Sequence, residues 1–261
     1  MLLAAILLAD VIVTRSLVHT GEIMRADAEG VEIKVAVGEL TVPKSDILKI
    51  EVAKPVTLDS AAAALKAGKF PDAVSGFKTV TDRYAGLPVP WAEEALMGLG
   101  EANIGAKNYP AAQQAFDTFR RLYPKSPLAG RLDVKSARVL FDQGETAKAG
   151  ESLQAFLKPM LDRSFLSDEQ EAIVAEALVL LGDCQLAAGK KIDALDSYLK
   201  VVALFDVDTS RAAEAKFKAA KVFEQTGNWK RAKQNYEELL KDSPTFAQAD
   251  DVKKRLAAHP E

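Results

Sequence analysis

GNWKRAKQNYEELLKDSP, residues 227–244, is the stretch whose reading decides the fold. Gly227 and Asn228 are turn formers, and Trp229 opens a run in which Ala232, Tyr236 and Leu239 recur at steps of four and three. That spacing places them on one face of a helix. A small residue followed by two large ones describes a helix that approaches a neighbour closely at one point and fills a groove beyond it. Pro244 then closes the run, because proline cannot continue a helix.

The pattern occurs four more times upstream. Short turns stand at Gly68-Lys69-Phe70, Lys107-Asn108-Tyr109, Gly144-Glu145-Thr146 and Gly189-Lys190-Lys191, and three residues beyond each comes Ala73, Ala112, Ala149 or Ala194. Four further on stand Phe77, Phe116, Leu153 and Tyr198, followed after three more by Val80, Phe119, Phe156 and Val201. Twelve residues before the five alanines lie Ala61, Gly100, Ala137, Gly182 and Ala220, all small. Two close helix crossings in each repeat account for that pairing, and an internal repeat of this length is the signature of stacked helix pairs.

These residues resemble the tetratricopeptide repeat family. Leu99-Gly100 and Leu181-Gly182 look like the "L-G" of its first helix, Ala112 with Phe116 and Ala232 with Tyr236 like its second-helix signature, and Pro124 and Pro244 like its closing proline. KNYPAAQQAFDTFRRLYP at 107–124 is similar to the 227–244 stretch. The alanine-to-alanine spacings are 39, 37, 45 and 38, against about 34 in the family, so longer helices or connections must absorb the excess. The largest excess falls between Leu157 and Ala172, where Pro159 is expected to end a helix and Ser167-Asp168-Glu169-Gln170 to cap the next. Asp208 and Ser210 mark the entry to the last repeat, and Ala247 to Ala258 is expected to form a terminal helix whose Asp250, Asp251, Lys253 and Lys254 cover the open end.

Ahead of the repeats, residues 11–52 alternate with a period of two. Val31, Ile33 and Val35 interleave with Glu32, Lys34 and Ala36, and Leu40 and Val42 with Glu39 and Thr41. Turn residues at Gly21, Asp27 to Gly30 and Gly38 divide the stretch into antiparallel strands near 11–18, 22–27, 31–37, 39–43 and 47–52. GEIMRADAEGVEIKVAVGELTVPKSDILKIE, with its closing P-x-S-x-I, resembles small SH3-like or Sm-like β-modules of bacterial exported repeat proteins. The fold class expected is mainly α: an α-α superhelical solenoid of about five tetratricopeptide-like repeats behind a small antiparallel β domain. The expected divisions are 1–9, 10–54, 55–246 and 247–261, with Lys54-Pro55 closing the β region. The opening MLLAAILLA reads either as the remnant of a signal peptide, with the mature chain starting near Asp10, or as a first strand.

Composition removes several classes of function. The chain has 261 residues, 48% of them hydrophobic and 27% charged, with a formal charge of -3 and no concentrated basic run, so nucleic acid is not an expected partner. Cys184 is the only cysteine and His19 and His259 lie near opposite ends, which argues against a disulfide, a metal site or a Cys/His nucleophile. Nine apolar residues are too few to span a bilayer. Gly98-Leu99-Gly100 and Gly105 sit within a helical period with no strand before them, so no dinucleotide loop is expected. Glu93-Glu94 and Glu237-Glu238 read as helix surface, and Trp91 and Trp229 as fillers between helices. No catalytic, cofactor-binding or metal residues are assigned, and the chain is expected not to be an enzyme.

The family resemblance implies a protein or peptide partner held on the concave face formed by first helices. Carrying its exposed first-helix positions across gives Met97, Glu101 and Ile104, then Val134, Arg138 and Phe141. The fourth repeat supplies Val179, Asp183 and Leu186, and the fifth Phe217, Lys221 and Glu224. Apolar positions beside charges suit a protein surface, although each large side chain has an even claim to pack between repeats. Arg138 and Lys221 are the only basic members, too few for the clamp with which some relatives hold acidic peptide ends. The reading is a non-catalytic scaffold or adaptor, exported to the periplasm of a bacterial cell envelope. The alternative is a self-associating module, cytoplasmic in place of exported, whose β region meets a second copy as a homo-oligomer.

Overall fold

A computed structural model describes residues 9–205 and 209–259. Five strands come first: β1 Asp10–Thr14, β2 Val18–Ala26, β3 Gly30–Val35, β4 Gly38–Pro43 and β5 Ile47–Glu51, with a 3-10 turn at Lys44–Asp46 before the last. All pairings are antiparallel and the order is β4-β3-β2-β1-β5, a meander whose final strand returns beside the first. The strands fall close to their expected positions except at the end of β1. There the Thr14 hydroxyl accepts a hydrogen bond from Leu17 N–H at 3.0 Å and donates to Leu17 O at 2.9 Å, closing a turn inside the stretch expected to stay extended. The Asp27 carboxylate likewise accepts from Glu29 and Gly30 N–H at 3.0 and 3.1 Å, making the expected β2–β3 turn.

Eleven helices follow among the described residues: α1 Val56–Lys66, α2 Phe70–Tyr84, α3 Pro90–Gly105, α4 Tyr109–Leu122, α5 Ala129–Asp142, α6 Thr146–Leu161, α7 Asp168–Ala187, α8 Lys191–Leu204, α9 Thr209–Gln225, α10 Trp229–Asp242 and α11 Ala249–Ala258. They form five successive pairs and a terminal helix, an α-solenoid class of fold behind a small antiparallel sheet. The turn inside each pair is the same structure five times. Gly68, Gly144, Gly189 and Gly227 take φ of 69, 84, 75 and 75°, and Lys107 takes the equivalent left-handed conformation at 58°. Each of these residues donates its N–H to the carbonyl three residues back, while the next residue donates to the carbonyl five back, as in Lys107 to Ile104 and Asn108 to Asn103. This closes the free carbonyls of the first helix.

The chain divides into two compact units, Met1–Ala129 and Gly130–Glu261. In the first, the core of the sheet takes in Leu87 and Ala92 beyond α2, while Leu58, Ala61, Ala73, Phe77 and Val80 of α1 and α2 pack with Ala95 and Ala102 of α3 in a second core, so the unit extends well past the change of period at Lys54-Pro55. Ile12, Ile23, Val31, Ile33 and Val42 from the sheet are buried with Leu87 and Ala92, and Tyr84, Trp91 and Tyr123 close around them. Tyr84 and Trp91 meet edge to face with centroids 5.3 Å apart. Arg83 of α2 donates from Nε to Ile23 O and from Nη2 to Glu22 Oε1 at 2.9 Å, tying α2 to β2. Gly86 allows this docking: a Cβ there would lie 2.5 Å from the Asp27 backbone.

In the second unit the core runs through α5 to α11. Pro159 lies inside α6, which continues to Leu161, so it does not end the helix as expected. Proline in the last turn forfeits one hydrogen bond, and the chain turns only after Asp162. Ser167 caps α7 as expected, in a reciprocal box in which its Oγ accepts from Gln170 N–H while Gln170 Oε1 accepts from Ser167 N–H. Leu157 rather than Phe156 is fully buried in the third pair, the least regular of the five. Residues 1–8 and Asp208 lie outside the described residues, and with them most of the MLLAAILLA reading.

Candidate functional site

The first helix of each pair is positioned by its small residue. Ala61, Gly100, Ala137, Gly182 and Ala220 are buried, as are Phe77, Phe116, Leu153, Tyr198 and Tyr236 sixteen residues on. A Cβ on Gly100 would come within 2.1 Å of the Phe116 ring, and one on Gly182 within 2.4 Å of the Tyr198 ring. This approach fixes which residues of α3, α5, α7 and α9 turn inward and which remain available.

The expected contact residues separate into two groups. Met97, Val134 and Val179 are buried and belong to the core, so they present no surface. Their side chains fill space between helices because the close crossings pull the first helices deep into the stack. Glu101 and Ile104 are half-buried on α3, and Leu186 is half-buried against the core of the second unit.

Arg138 is exposed, with Nε 2.9 Å from Asp142 Oδ1 and its guanidinium 5.8 Å from the centre of the Phe141 ring. Lys221 stands in the same relation to Phe217, with Nζ 5.5 Å from the ring centre. Phe217 also packs beside Tyr236 and Phe246. Glu224 accepts from the Tyr236 hydroxyl at 3.0 Å and from Arg255 of α11 at 2.9 Å, so the terminal helix already holds this residue.

Asp183 is the centre of a network that the sequence reading missed. It accepts from the Tyr198 hydroxyl at 2.7 Å and from Lys218 at 2.6 and 2.8 Å. Lys218 also meets Glu214 at 3.0 Å, Glu214 meets Arg211 at 3.0 Å, and Arg211 lies 3.4 Å from Glu176, which receives Lys135 at 3.0 Å. The chain of charges links α5, α7 and α9. Burial works against the Glu214 carboxylate, yet Lys218 and Arg211 hold it below the usual range. Burial first, then the charge of Asp183, raises the Tyr198 phenol far above its ordinary value. The four-residue step from Glu214 to Lys218 was visible in the sequence, whereas the partners on other helices were not.

Burial pushes the Cys184 thiol up to about 11, which leaves little thiolate near neutral pH. Among the described residues no group of His, Cys, Asp and Glu could hold a metal ion, and no helix is long and apolar enough to cross a membrane.

A tetratricopeptide repeat model matches residues 58–127 and 104–160, and a second model of that repeat matches 214–245, together slightly more than half of the chain. The chain belongs to the tetratricopeptide repeat family. Solved structures with the same fold include a Rap protein complexed with Competence and Sporulation Factor, 17% identical with a TM-score of 0.61 over 72% of this chain and 53% of that one. The Rap conjugation gene regulator of the plasmid pLS20, in complex with the Phr peptide, is 16% identical with a TM-score of 0.60 over 71% and 52%. The Cut9-Hcn1 hetero-tetramer of APC/C is 18% identical with a TM-score of 0.55 over 76% and 35%. No curated protein matches the sequence. The tetratricopeptide repeat matches begin at residue 58, so they lend no support to the SH3-like or Sm-like resemblance of the β region.

Proposed function

We propose that this tetratricopeptide repeat protein is a non-catalytic scaffold that holds a segment of another protein against its first helices, and that it works in the bacterial cell envelope. The observation that carries the binding reading is the pair of platforms Arg138 on Phe141 and Lys221 on Phe217. A cation over an aromatic face sets charge beside flat apolar area, and aromatic residues and arginine are enriched where proteins meet. The Phr peptide and the Competence and Sporulation Factor named with the two Rap structures support the same reading. The test is affinity capture from extract of the source organism, comparing the native chain with the Arg138→Glu/Lys221→Glu double variant. Capture reduced at least about tenfold with unchanged circular dichroism is expected; undiminished capture would remove the platforms from the function. The envelope assignment rests on MLLAAILLA, and recovery of a tagged chain from the cytosol alone, at full mass, would overturn it.

Self-association is a second reading with its own observation. Val18 and Leu48 are each 63% exposed and Leu17 62%, all near the β1–β2 turn and the β1–β5 irregularity. Light scattering would then give twice the chain mass at micromolar concentration, reverting to one chain in Val18→Glu/Leu48→Glu.

A further inference from the structure

The first unit contains a cleft of about 690 Å³ between the sheet and the turns that follow α2 and α4. Ile47, Val89, Leu122 and Leu128 supply its apolar lining. Pro88, Pro90 and Pro127 line it too, and their locked φ angles give the cleft a shape that needs little reordering on binding. Its floor is internally satisfied. The Tyr123 hydroxyl donates to Leu87 O at 2.9 Å and to Ala85 O, and Ser126 Oγ donates to Glu93 Oε2.

The rim is charged and incomplete. Lys44 and Glu94 both line the cleft, and neither makes an ion pair or a side-chain hydrogen bond among the described residues. Desolvation lowers the Lys44 ammonium, while Asp27 and Glu29 act on it from beyond pairing distance and Asp27 is held by Arg25 at 2.7 Å. Lys54, the cation that feels Glu94, is engaged with Asp59 at 2.7 Å. A partly desolvated ammonium and two carboxylates, Glu93 and Glu94, therefore frame an apolar trough with room on the scale of a bound ligand.

We propose that this cleft is a second protein-binding site, taking an extended segment whose apolar side chain sits between Val89, Leu122 and Leu128, with a basic residue toward Glu93 and Glu94 and a carboxylate toward Lys44. The charges select the occupant, since an uncharged apolar segment would leave both rim groups unpaired. None of these residues belongs to the Arg138 and Lys221 platforms, so the two sites stand or fall separately.

The test is fluorescence anisotropy on the full chain with labelled Gly-Arg-Leu-Leu-Asp-Gly and its neutral isostere Gly-Gln-Leu-Leu-Asn-Gly. The charged peptide is expected to bind at least about tenfold more tightly. Glu94→Lys should weaken it about fivefold and strengthen Gly-Asp-Leu-Leu-Asp-Gly, the opposite response that a merely destabilised chain would not give. Leu128→Asp should abolish binding with circular dichroism intact, and Arg138→Glu/Lys221→Glu should leave it unchanged. Equal binding of charged and neutral peptides, indifference to Glu94→Lys, or no binding of either peptide at about 1 mM would overturn the proposal.

Discussion

The α3/α4 pair and the α5/α6 pair solve one packing problem with different residues. In the former, Gly100 lies beneath Phe116 so closely that a Cβ would come within 2.1 Å of the ring. In the latter, Ala137 and Leu153 hold the corresponding places, and both are buried. A methyl group gained on the first helix is matched by a ring lost on the second. At these two crossings the exchange keeps the combined volume down, as close packing requires, whereas the first and fifth pairs hold both a methyl group and a ring at the same places, Ala61 with Phe77 and Ala220 with Tyr236.

Four substitutions and one titration would break or sharpen this comparison. Gly100→Ala should cost about 2–3 kcal/mol in urea unfolding, because Phe116 has no room to retreat, and adding Phe116→Leu should recover the loss to within about 1 kcal/mol. Additive costs in the double variant would show that combined volume is not what this crossing specifies. Tyr198→Phe should cost about 1.5 kcal/mol by removing a hydrogen bond to a charged acceptor, while leaving Lys218 on Asp183. The leucine at the same place in the α5/α6 pair makes no such bond, so a cost near zero would mean that the hydroxyl is incidental.

The tyrosine comparison extends to pH. Burial, joined by Asp183 for Tyr198 and by Glu224 for Tyr236, raises both phenols in the folded chain. Folding thus favours their protonated forms. Their contribution is complete below the ordinary tyrosine value of about 10 and is lost as pH rises past it toward the folded values. The phenolate absorbance of these two tyrosines should therefore appear late and together with loss of helix, rather than along a simple curve that precedes unfolding. The smallest effect is expected at Lys107, the non-glycine member of the five turns. Lys107→Gly should stabilise by roughly 0.5–1 kcal/mol, read by the urea midpoint, since glycine takes a left-handed φ without the Cβ penalty.

Much of this was legible in the chain. Each small residue and the large one sixteen places on could be named from spacing alone, because one helix turn repeats at nearly the same spacing wherever the pair recurs. The five strands were legible too, since alternation reports a half-buried sheet directly. The functional surface was less so. Met97, Val134 and Val179 were read as surface by family position and proved buried, whereas Lys135, Glu176, Arg211, Glu214 and Lys218 drew no notice although they link three helices. Burial depends on how far a helix sinks into its neighbours, and that is a property of several helices at once.

By itself, then, the sequence determined the helix pairs, their turns and their crossing points, because periodicity and left-handed glycines are local properties of a chain. Only the tertiary structure decided that the sheet buries its inner face against Leu87 and Ala92, that Glu224 is taken by Arg255, and that a proline-lined cleft opens between Ile47 and Leu128. These join residues 31 to 81 positions apart. No local spacing encodes such pairings, since they follow from which faces remain to be buried once the helices have stacked.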